Sequence, residues 1–263
     1  MPNLDAAACA ALLDGLTDLT VNAAETIRSL AAAATVSTKA DGSPVTTADE
    51  AAEAAICAGL KRLAPDLPIV SEEQASRQRP PAVEGGSYFL VDPLDGTREF
   101  IAGRDEYTIN IALMTGRMPG LGIICAPALG ELWRGIVGRG ADRVKAGASG
   151  KPTPIHVRPR PDRPVIMVSR SHLDRASLAY VAALPGATTT PCGSSIKFCR
   201  VAEGTADLYP RLAPTHDWDI AAGHAILTAA GGTVAAPDGV PLRYATPDLL
   251  IPAFVAAGGP IRA

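Results

Sequence analysis

The ten residues from Val91 to Phe100, V-D-P-L-D-G-T-R-E-F, combine groups that can hold a cation beside an anion. Asp92 ends an apolar run, the next residue is a proline that favours a turn, and Asp95 returns a second carboxylate to the same region. Gly96 allows close backbone approach to a ligand, and a helix that begins at Thr97 would direct its free N–H groups at an anion. The stretch therefore predicts a site for hard cations and a phosphate, with turn formation and helix capping by the aspartates as the alternative.

Oxygen atoms are the metal ligands that the rest of the sequence favours. The five cysteines lie at positions 9, 57, 125, 192 and 199, and no pair has the C-x-x-C spacing of a zinc or redox site. No two of the four histidines lie four residues apart, the spacing of a helical zinc motif. We expect reduced, buried cysteines, and oxygen ligands for any metal that the chain binds.

Composition narrows the class of protein. The chain of 263 residues is 47% hydrophobic and 19% charged, as in folded globular proteins. Its 24 basic and 27 acidic residues do not favour binding to a nucleic-acid polymer. No apolar run approaches the roughly 18 residues of a membrane-spanning helix, and the first basic residue is Arg28, which disfavours a signal peptide. We expect a cytoplasmic monomer or homodimer that acts on a small molecule, with peripheral association at the inner membrane left open.

The elements that must position these groups change character along the chain. Residues 4–34 and 49–63 have apolar side chains at helical spacing and predict two helices. An apolar run at 88–91, alternation over 107–113 and a turn at 126–130 predict a largely antiparallel sheet. The first part of the chain is therefore predicted to be α+β.

The second part alternates strands with helices, which predicts a mixed or parallel sheet covered by helices. The predicted strands are 165–169, 187–190, 206–209 and one near Phe254, and the predicted helices are 174–184, 194–203 and 218–230. We predict an α/β fold overall, with an α+β part at 1–160 that carries most metal ligands. An α/β part at 161–263 would add Asp219 and the substrate-binding residues.

Two strings resemble the signatures of one family. D-P-L-D-G-T at 92–97 and W-D-I-A-A-G at 218–223 resemble, in order, the two signatures of the inositol monophosphatase family of magnesium-dependent, lithium-sensitive phosphatases. Other strings resemble its 3'(2'),5'-bisphosphate nucleotidase branch, and they lie at 39–46, 70–73, 95–101, 168–172, 193–199 and 202–211. The resemblance runs from about Lys39 to Leu227 and implies a layered α/β/α/β/α sandwich.

The resemblance also implies the metal site and the groups that activate water. Two or three Mg²⁺ ions would be held by Glu72, Asp92, the main-chain carbonyl of Leu94, Asp95 and Asp219. Thr97 and Asp49 would orient and activate the attacking water, with Glu72 nearby. A solvated loop is the alternative for Glu72 and a helix cap is the alternative for Asp219. Glu73 is given a supporting role, and Asp217 is expected to be a cap or surface residue.

Substrate recognition is expected from the residues of these strings that can bind a phosphate. They are Gly96, Thr97, Arg170, Ser194, Ser195, Lys197, Arg211 and Asp219. A guanidinium group can bind a phosphate bidentately, and Ser194 and Ser195 lie at a predicted helix N-terminus. Surface salt bridges are the alternative for the basic residues, and His172 and His224 are given no chemical role.

The resemblance implies a phosphatase that removes the 3'-phosphate of adenosine 3',5'-bisphosphate by in-line attack of a metal-bound water, giving AMP and phosphate. The strings at 168–172, 193–199 and 202–211 favour this substrate. The alternative is an inositol or sugar monophosphate phosphatase with the same metal site. A metal-binding module without catalysis is disfavoured, because it would not need a water-activating pair.

Overall fold

The computed structural model describes residues 6–78, 80–81, 83, 85–145 and 151–260. Within these ranges the helices are α1 (Ala6–Leu30), α2 (Thr47–Leu63), α3 (Glu72–Ala75), α4 (Thr97–Ile101), α5 (Arg175–Ala182), α6 (Ile196–Ala202) and α7 (Asp217–Ala229). The strands of the first part are β1 (Val36–Thr38), β2 (Pro44–Thr46), β3 (Ile69–Ser71), β4 (Ser87–Asp95), β5 (Thr108–Thr115), β6 (Met118–Ala126), β7 (Glu131–Ile136), β8 (Gly140–Lys145) and β9 (Thr153–Ile155). Those of the second part are β10 (Val165–Ser169), β11 (Thr188–Cys192), β12 (Leu208–Arg211), β13 (Thr215–His216), β14 (Thr233–Ala235), β15 (Leu250–Ile251) and β16 (Phe254–Ala257).

A seven-stranded sheet holds β3 to β9 in chain order. Its neighbours are antiparallel except for the parallel pair β3 and β4, which confirms the predicted antiparallel character. The alternation predicts a half-buried β5, but this strand is buried on both faces. Ile109, Ile111 and Leu113 pack towards α1 and α2, whereas Ala112 and Met114 pack on the opposite face. Both faces of the sheet are therefore covered.

The first two helices form where they are predicted, with different ends. Residues 4 and 5 of the predicted helix lie outside the described residues, and α1 ends at Leu30 before the β1–β2 hairpin. The second helix begins at Thr47 because Thr46 caps it. The Thr46 hydroxyl accepts the Ala48 N–H (3.2 Å), and the Asp49 carboxylate accepts the Thr46 N–H (2.8 Å).

The second large sheet has five strands in the order β11-β10-β12-β16-β14. Strand β10 is parallel to β11 and β12, whereas β16 is antiparallel to β12 and β14, so the predicted mixed sheet is confirmed. Helices α6 and α7 lie between the two large sheets, α1 and α2 cover the outer face of the first, and α5 covers the second. The layers are α/β/α/β/α, as predicted. No helix in the described ranges is long and apolar enough to span a membrane.

Small residues let α7 approach the seven-stranded sheet. A Cβ atom added to Gly122 of β6 would lie 2.2 Å from the carbonyl oxygen of Ala222 in α7. Any larger residue at Gly122 would therefore push the helix away. Since Asp219 lies in the first turn of α7, this packing brings its carboxylate towards the end of β4.

The end of β4 differs from the prediction. The sequence predicts that the strand ends near Val91 and that a proline turn follows, but β4 continues to Asp95. Three residue steps from Asp92 to Asp95 face two steps on β5, which makes a β-bulge. In a regular strand residues three apart lie on opposite faces, so the extra residue turns both aspartates to the same side. The bulge does what the predicted turn was expected to do.

Candidate active site

A cleft forms where the end of β4 meets the first turn of α7. We call it the cleft throughout, and its lining residues include Asp41, Glu72, Asp92, Leu94, Asp95, Gly96, Thr97, Arg98, Glu99, Ser169, His172, Ser194, Ser195, Lys197, Arg211 and Asp219. The lining comes from both large sheets and from the helix between them. All but one of the residues that the sequence assigns to metal or substrate therefore lie on one surface.

Three carboxylates meet at the centre of the cleft. One oxygen from each of Glu72, Asp92 and Asp219 lies within 4.8 Å of the other two. Asp92 is 1% exposed, and burial, followed by the charges of neighbouring carboxylates, raises its pKa well above the usual value. Burial, and to a smaller extent Asp219, raise the pKa of Glu72 to about 8 and that of Asp95 to about 6. Such crowded oxygen ligands suit Mg²⁺, which would offset their repulsion.

Glu72 is positioned by a residue that the sequence analysis missed. It begins α3 directly after β3, and Glu53 of α2 holds this junction. The Glu53 carboxylate accepts the Ser71 hydroxyl and the Gln74 N–H (3.1 Å). Glu53 follows Asp49 by four residues and therefore shares its helix face, the one signal in the sequence that could have identified it.

The first turn of α7 fixes Asp219. Its Oδ2 accepts the Thr215 hydroxyl and the His216 N–H (3.1 Å). Asp217 is wrongly predicted as a cap or surface residue: it is 0% exposed, and its Oδ2 accepts the Ala245 N–H (2.7 Å). The cause is the β13–β15 pair, which covers this end of α7 and which local sequence does not reveal.

Thr97 and Asp49 are in contact although they are 48 residues apart. The Thr97 hydroxyl lies 3.0 Å from Asp49 Oδ1 and 3.1 Å from the carbonyl oxygen of Leu94. The other oxygen of Asp49 accepts the hydroxyl of Thr46 at 2.5 Å. Burial raises the pKa of Asp49, and the hydrogen bonds from Thr46 and Thr97 oppose that rise. Thr97 and Leu94 line the cleft, and the buried Asp49 carboxylate lies behind the Thr97 hydroxyl.

Lys39 brings a positive charge to the carboxylate cluster. Its Nζ lies 2.6 Å from Glu72 Oε1 and 2.7 Å from Glu73 Oε1, and its side chain is 8% exposed. Burial opposes the charged amine, but the two glutamates outweigh it and raise the pKa of Lys39. The sequence analysis included Lys39 in a family-like string without a role, because only the folded β1–β2 hairpin brings it to Glu72.

Two basic side chains, Lys197 and Arg211, also line the cleft, and we call them its basic wall. Lys197 is 2% exposed, donates to the carbonyls of Cys192 (3.2 Å) and Ser194, and lies 5.0 Å from the Tyr209 ring centroid. Arg211 keeps a buried Nε for which no hydrogen-bond partner exists in the part of the chain that the structure describes. One donor on this wall is therefore ready for an anion.

The two serines before α6 differ in exposure. Ser194 lines the cleft in a left-handed backbone conformation (φ +48°). Ser195 is 2% exposed, and its hydroxyl donates to Asn110 Oδ1 (2.6 Å) and lies 2.8 Å from the Thr108 hydroxyl. The Ser195 side chain thus binds the seven-stranded sheet.

Arg170 does not lie in the cleft. Its guanidinium binds Glu106 through two contacts of 2.7 Å and lines a neighbouring cavity. The reason is alternation at the end of β10: Ser169 faces the cleft, so the next side chain points the other way. His172, which the sequence analysis left without a role, lines the cleft instead.

The whole chain can now be compared with known proteins. The sequence profile of the inositol monophosphatase family matches residues 9–259. The chain belongs to the inositol monophosphatase family. This confirms the resemblance inferred from the two signature strings.

Curated members of the family include similar nucleotidases. The 3'(2'),5'-bisphosphate nucleotidase CysQ of Escherichia coli O157:H7 is 42% identical over 240 residues, which is 89% of this chain and 94% of that protein. CysQ of Shigella flexneri is 45% identical over 213 residues, which is 80% of this chain and 82% of that protein.

Solved structures of the family share the fold. CysQ from Bacteroides thetaiotaomicron superposes with a TM-score of 0.79 at 36% identity, covering 95% of this chain and 98% of that chain. An inositol monophosphatase from Anabaena superposes with a TM-score of 0.78 at 24% identity, covering 96% of this chain and 92% of that chain. The latter likeness supports the fold alone.

Proposed function

We propose that this chain is a Mg²⁺-dependent phosphatase that hydrolyses the 3'-phosphate of adenosine 3',5'-bisphosphate to AMP and phosphate. The observation that carries the proposal is that one cleft is lined both by a carboxylate cluster and by the basic side chains of Lys197 and Arg211. A bisphosphate needs both: cations at the reacting phosphate and a fixed positive charge for the second one. The nucleotide is favoured because the relatives at 42% and 45% identity are named 3'(2'),5'-bisphosphate nucleotidases.

The metal ligands of this proposal are Glu72, Asp92, the carbonyl of Leu94, Asp95 and Asp219, which would hold two or three Mg²⁺ ions. Bound Mg²⁺ would neutralise charge on the phosphate and lower the pKa of a coordinated water. The bulge in β4 supports this set, because it turns Asp92 and Asp95 to one side. Hydrogen bonds from Thr215 and His216 hold Asp219 in the orientation that meets them.

Thr97 and Asp49 would move the proton of the attacking water. The Thr97 hydroxyl can donate to Asp49 Oδ1, which leaves the Thr97 oxygen free to accept a hydrogen bond from that water. As the water attacks phosphorus, its proton would pass to Thr97 Oγ1 and the threonine proton to Asp49 Oδ1. Burial raises the pKa of Asp49 and makes it a stronger base than a solvated aspartate.

The basic wall would bind the second phosphate. Arg211 offers a buried Nε without a partner among the described residues, and a phosphate oxygen would satisfy it. Lys197 would contribute charge more than contact, because its amine already donates to two carbonyls. Ser194 and Gly96 line the same cleft and would also contact the substrate, whereas Arg170 is left out of the substrate set. The expected cytoplasmic location and the monomeric or homodimeric state stay part of this proposal.

Phosphate release measured in parallel from adenosine 3',5'-bisphosphate and inositol 1-phosphate tests the proposal. Each assay is run in Mg²⁺ buffer with and without lithium, which is expected to inhibit, as it does in the family generally. A large preference for the nucleotide is expected. A preference for inositol 1-phosphate would overturn the proposed substrate but not the proposed metal site. No release from either ester would overturn the proposal that the chain is a phosphatase.

A further inference from the structure

Glu106 joins the two large sheets beside the cleft. It lies between α4 and β5, in the part built on the seven-stranded sheet, and its carboxylate binds groups of the other part. Oε2 accepts the Arg170 Nε–H (2.7 Å) and the Gly193 N–H (2.8 Å), and Oε1 accepts Arg170 Nη2 (2.7 Å). Arg170 also donates to the carbonyl of Pro191 (3.0 Å). One carboxylate thus holds both a side chain and the backbone of the segment that enters α6.

The backbone of Glu106 packs closely against Gly193 and Gly96, and a side chain at either position would clash with it or crowd it. A Cβ atom added to Gly193 would lie 2.5 Å from the Glu106 carbonyl oxygen and 2.9 Å from the Glu106 Cβ. A Cβ atom added to Gly96 would lie 3.1 Å from the same carbonyl and 3.4 Å from the Ser194 Cβ. Residues 193–195, which we call the serine loop, therefore pack directly against the turn that follows Asp95.

The serine loop carries groups that face the cleft. Ser194 and Ser195 both line the cleft together with Asp95. Lys197 donates to the Ser194 carbonyl, so the position of its charge follows that of the loop. Ser194 has φ +48°, a conformation that a non-glycine residue keeps only when its surroundings hold it. A shift of the loop would move all three groups.

We propose that Glu106 is a positioning residue for the phosphatase reaction. Its carboxylate fixes the Gly193 N–H and thereby seats the serine loop against the Asp95–Thr97 turn, while Arg170 holds the carboxylate in place. The inference rests on the proposed function of the cleft. It gives Arg170 a role outside substrate binding, in agreement with its location.

The chain contains a matched control for this arrangement. Asp207 binds Arg158 through two contacts of 2.8 Å and also accepts the Val165 N–H (2.7 Å). The pair repeats the geometry of Glu106 and Arg170, but neither residue lines the cleft. A substitution at Asp207 therefore reports the cost of losing such a pair without any effect on the serine loop.

The test compares Glu106→Ala, Asp207→Ala and the charge swap Glu106→Arg with Arg170→Glu. Measurements are kcat and KM for phosphate release, melting temperature, and hydrogen exchange at the Gly193 amide. Glu106→Ala is expected to lower kcat by about 10- to 100-fold, the scale of a small misplacement, and to speed exchange at Gly193. Asp207→Ala is expected to lower the melting temperature and to leave kcat of the folded enzyme unchanged.

The swap separates positioning from simple ion pairing. The swap can restore an ion pair, so the melting temperature should recover. Arginine at position 106 cannot accept the Gly193 N–H, so kcat should stay low. Recovery of kcat, or unchanged Gly193 exchange in Glu106→Ala, would overturn the proposal. Hydrogen exchange needs no turnover, so it decides about Glu106 even if adenosine 3',5'-bisphosphate is not a substrate. In that case kcat is measured with whichever phosphate ester the wild type cleaves.

Discussion

On the acidic side of the cleft, which we define as Glu72, Asp92, Asp95 and Asp219, carboxylates crowd together and burial raises the pKa of those at 72, 92 and 95. On the basic side, Lys197 is already surrounded by two carbonyls and an aromatic face. The carboxylates of the acidic side would repel one another when ionised unless cations bind between them. On the basic side the Lys197 amine already has protein partners, whereas the buried Arg211 Nε has none among the described residues.

The two sides should therefore respond differently to substitution. Under the proposed function, a change on the acidic side would remove a metal ligand, although it would also relieve repulsion in the metal-free protein. A change on the basic side would remove a contact to the substrate. Loss of rate should therefore dominate on the acidic side and loss of affinity on the basic side.

The largest effect is expected from Asp92→Asn. Because a carboxylate ligand is lost, kcat should fall by at least about 10³-fold. The melting temperature without Mg²⁺ should stay the same or rise, because a buried charge is removed from among other carboxylates. Phosphate release and thermal melts in Mg²⁺-free buffer check both. The exposed Asp66→Asn is the control, and near wild-type turnover in Asp92→Asn would exclude the metal assignment.

The next effect is expected from the water-activating pair. Thr97→Ala should lower kcat by about 10²- to 10⁴-fold while the Mg²⁺ concentration for half-maximal activity changes little. Thr97→Ser keeps the hydroxyl that lies 3.0 Å from Asp49 and should retain most of the rate. Steady-state kinetics over a Mg²⁺ titration measure both parameters. An unchanged kcat in Thr97→Ala would rule out the proton-transfer role.

A smaller effect, on affinity, is expected from the basic side. Arg211→Gln should raise KM for adenosine 3',5'-bisphosphate by about 10- to 100-fold, the range for a charge-assisted hydrogen bond. Adenosine 3'-monophosphate lacks the second phosphate and should show no such change. Arg211→Lys keeps the charge but loses the planar fork, so it should rescue only in part. An equal rise in KM for both substrates would place Arg211 at the reacting phosphate instead.

The two sides also differ in how far the sequence predicts them. The acidic side is encoded in short strings at the ends of elements, so Asp92, Asp95 and Asp219 could be named before the fold was known. The layered architecture could be predicted for the same reason, since the periods of the helices and strands are local properties. The β-bulge could not, because it depends on the register between β4 and β5.

The basic side and the supporting residues depend on contacts between distant segments. Arg170 lies outside the cleft, which could not be predicted because a string does not specify to which side a side chain turns after a strand ends. Lys39, Glu53 and Glu106 act through partners 18 to 87 residues away in sequence. Apart from the four-residue spacing of Glu53 from Asp49, nothing in their local sequence distinguishes these residues from solvated charges.

The last effect concerns stability alone and comes from His224, on the same helix as Asp219 but away from the chemistry. Its Nδ1 lies 2.9 Å from the Tyr244 hydroxyl, and burial lowers its pKa from 6.5 to about 4. Between these pH values His224 is protonated in the unfolded chain but not in the folded chain. The free energy of unfolding should therefore fall as the pH drops from about 6.5 to about 4, by on the order of 3 kcal/mol in total.

Carboxyls with raised pKa values, such as Asp217, act in the opposite direction over an overlapping range, so only the difference between wild type and His224→Gln isolates the histidine. Urea denaturation at pH 7.5, 5.5 and 4.5 measures it, with the exposed His156→Gln as the control. Parallel pH profiles for wild type and His224→Gln would mean that the histidine is protonated in the folded protein and that the interior behind Asp219 tolerates a charge.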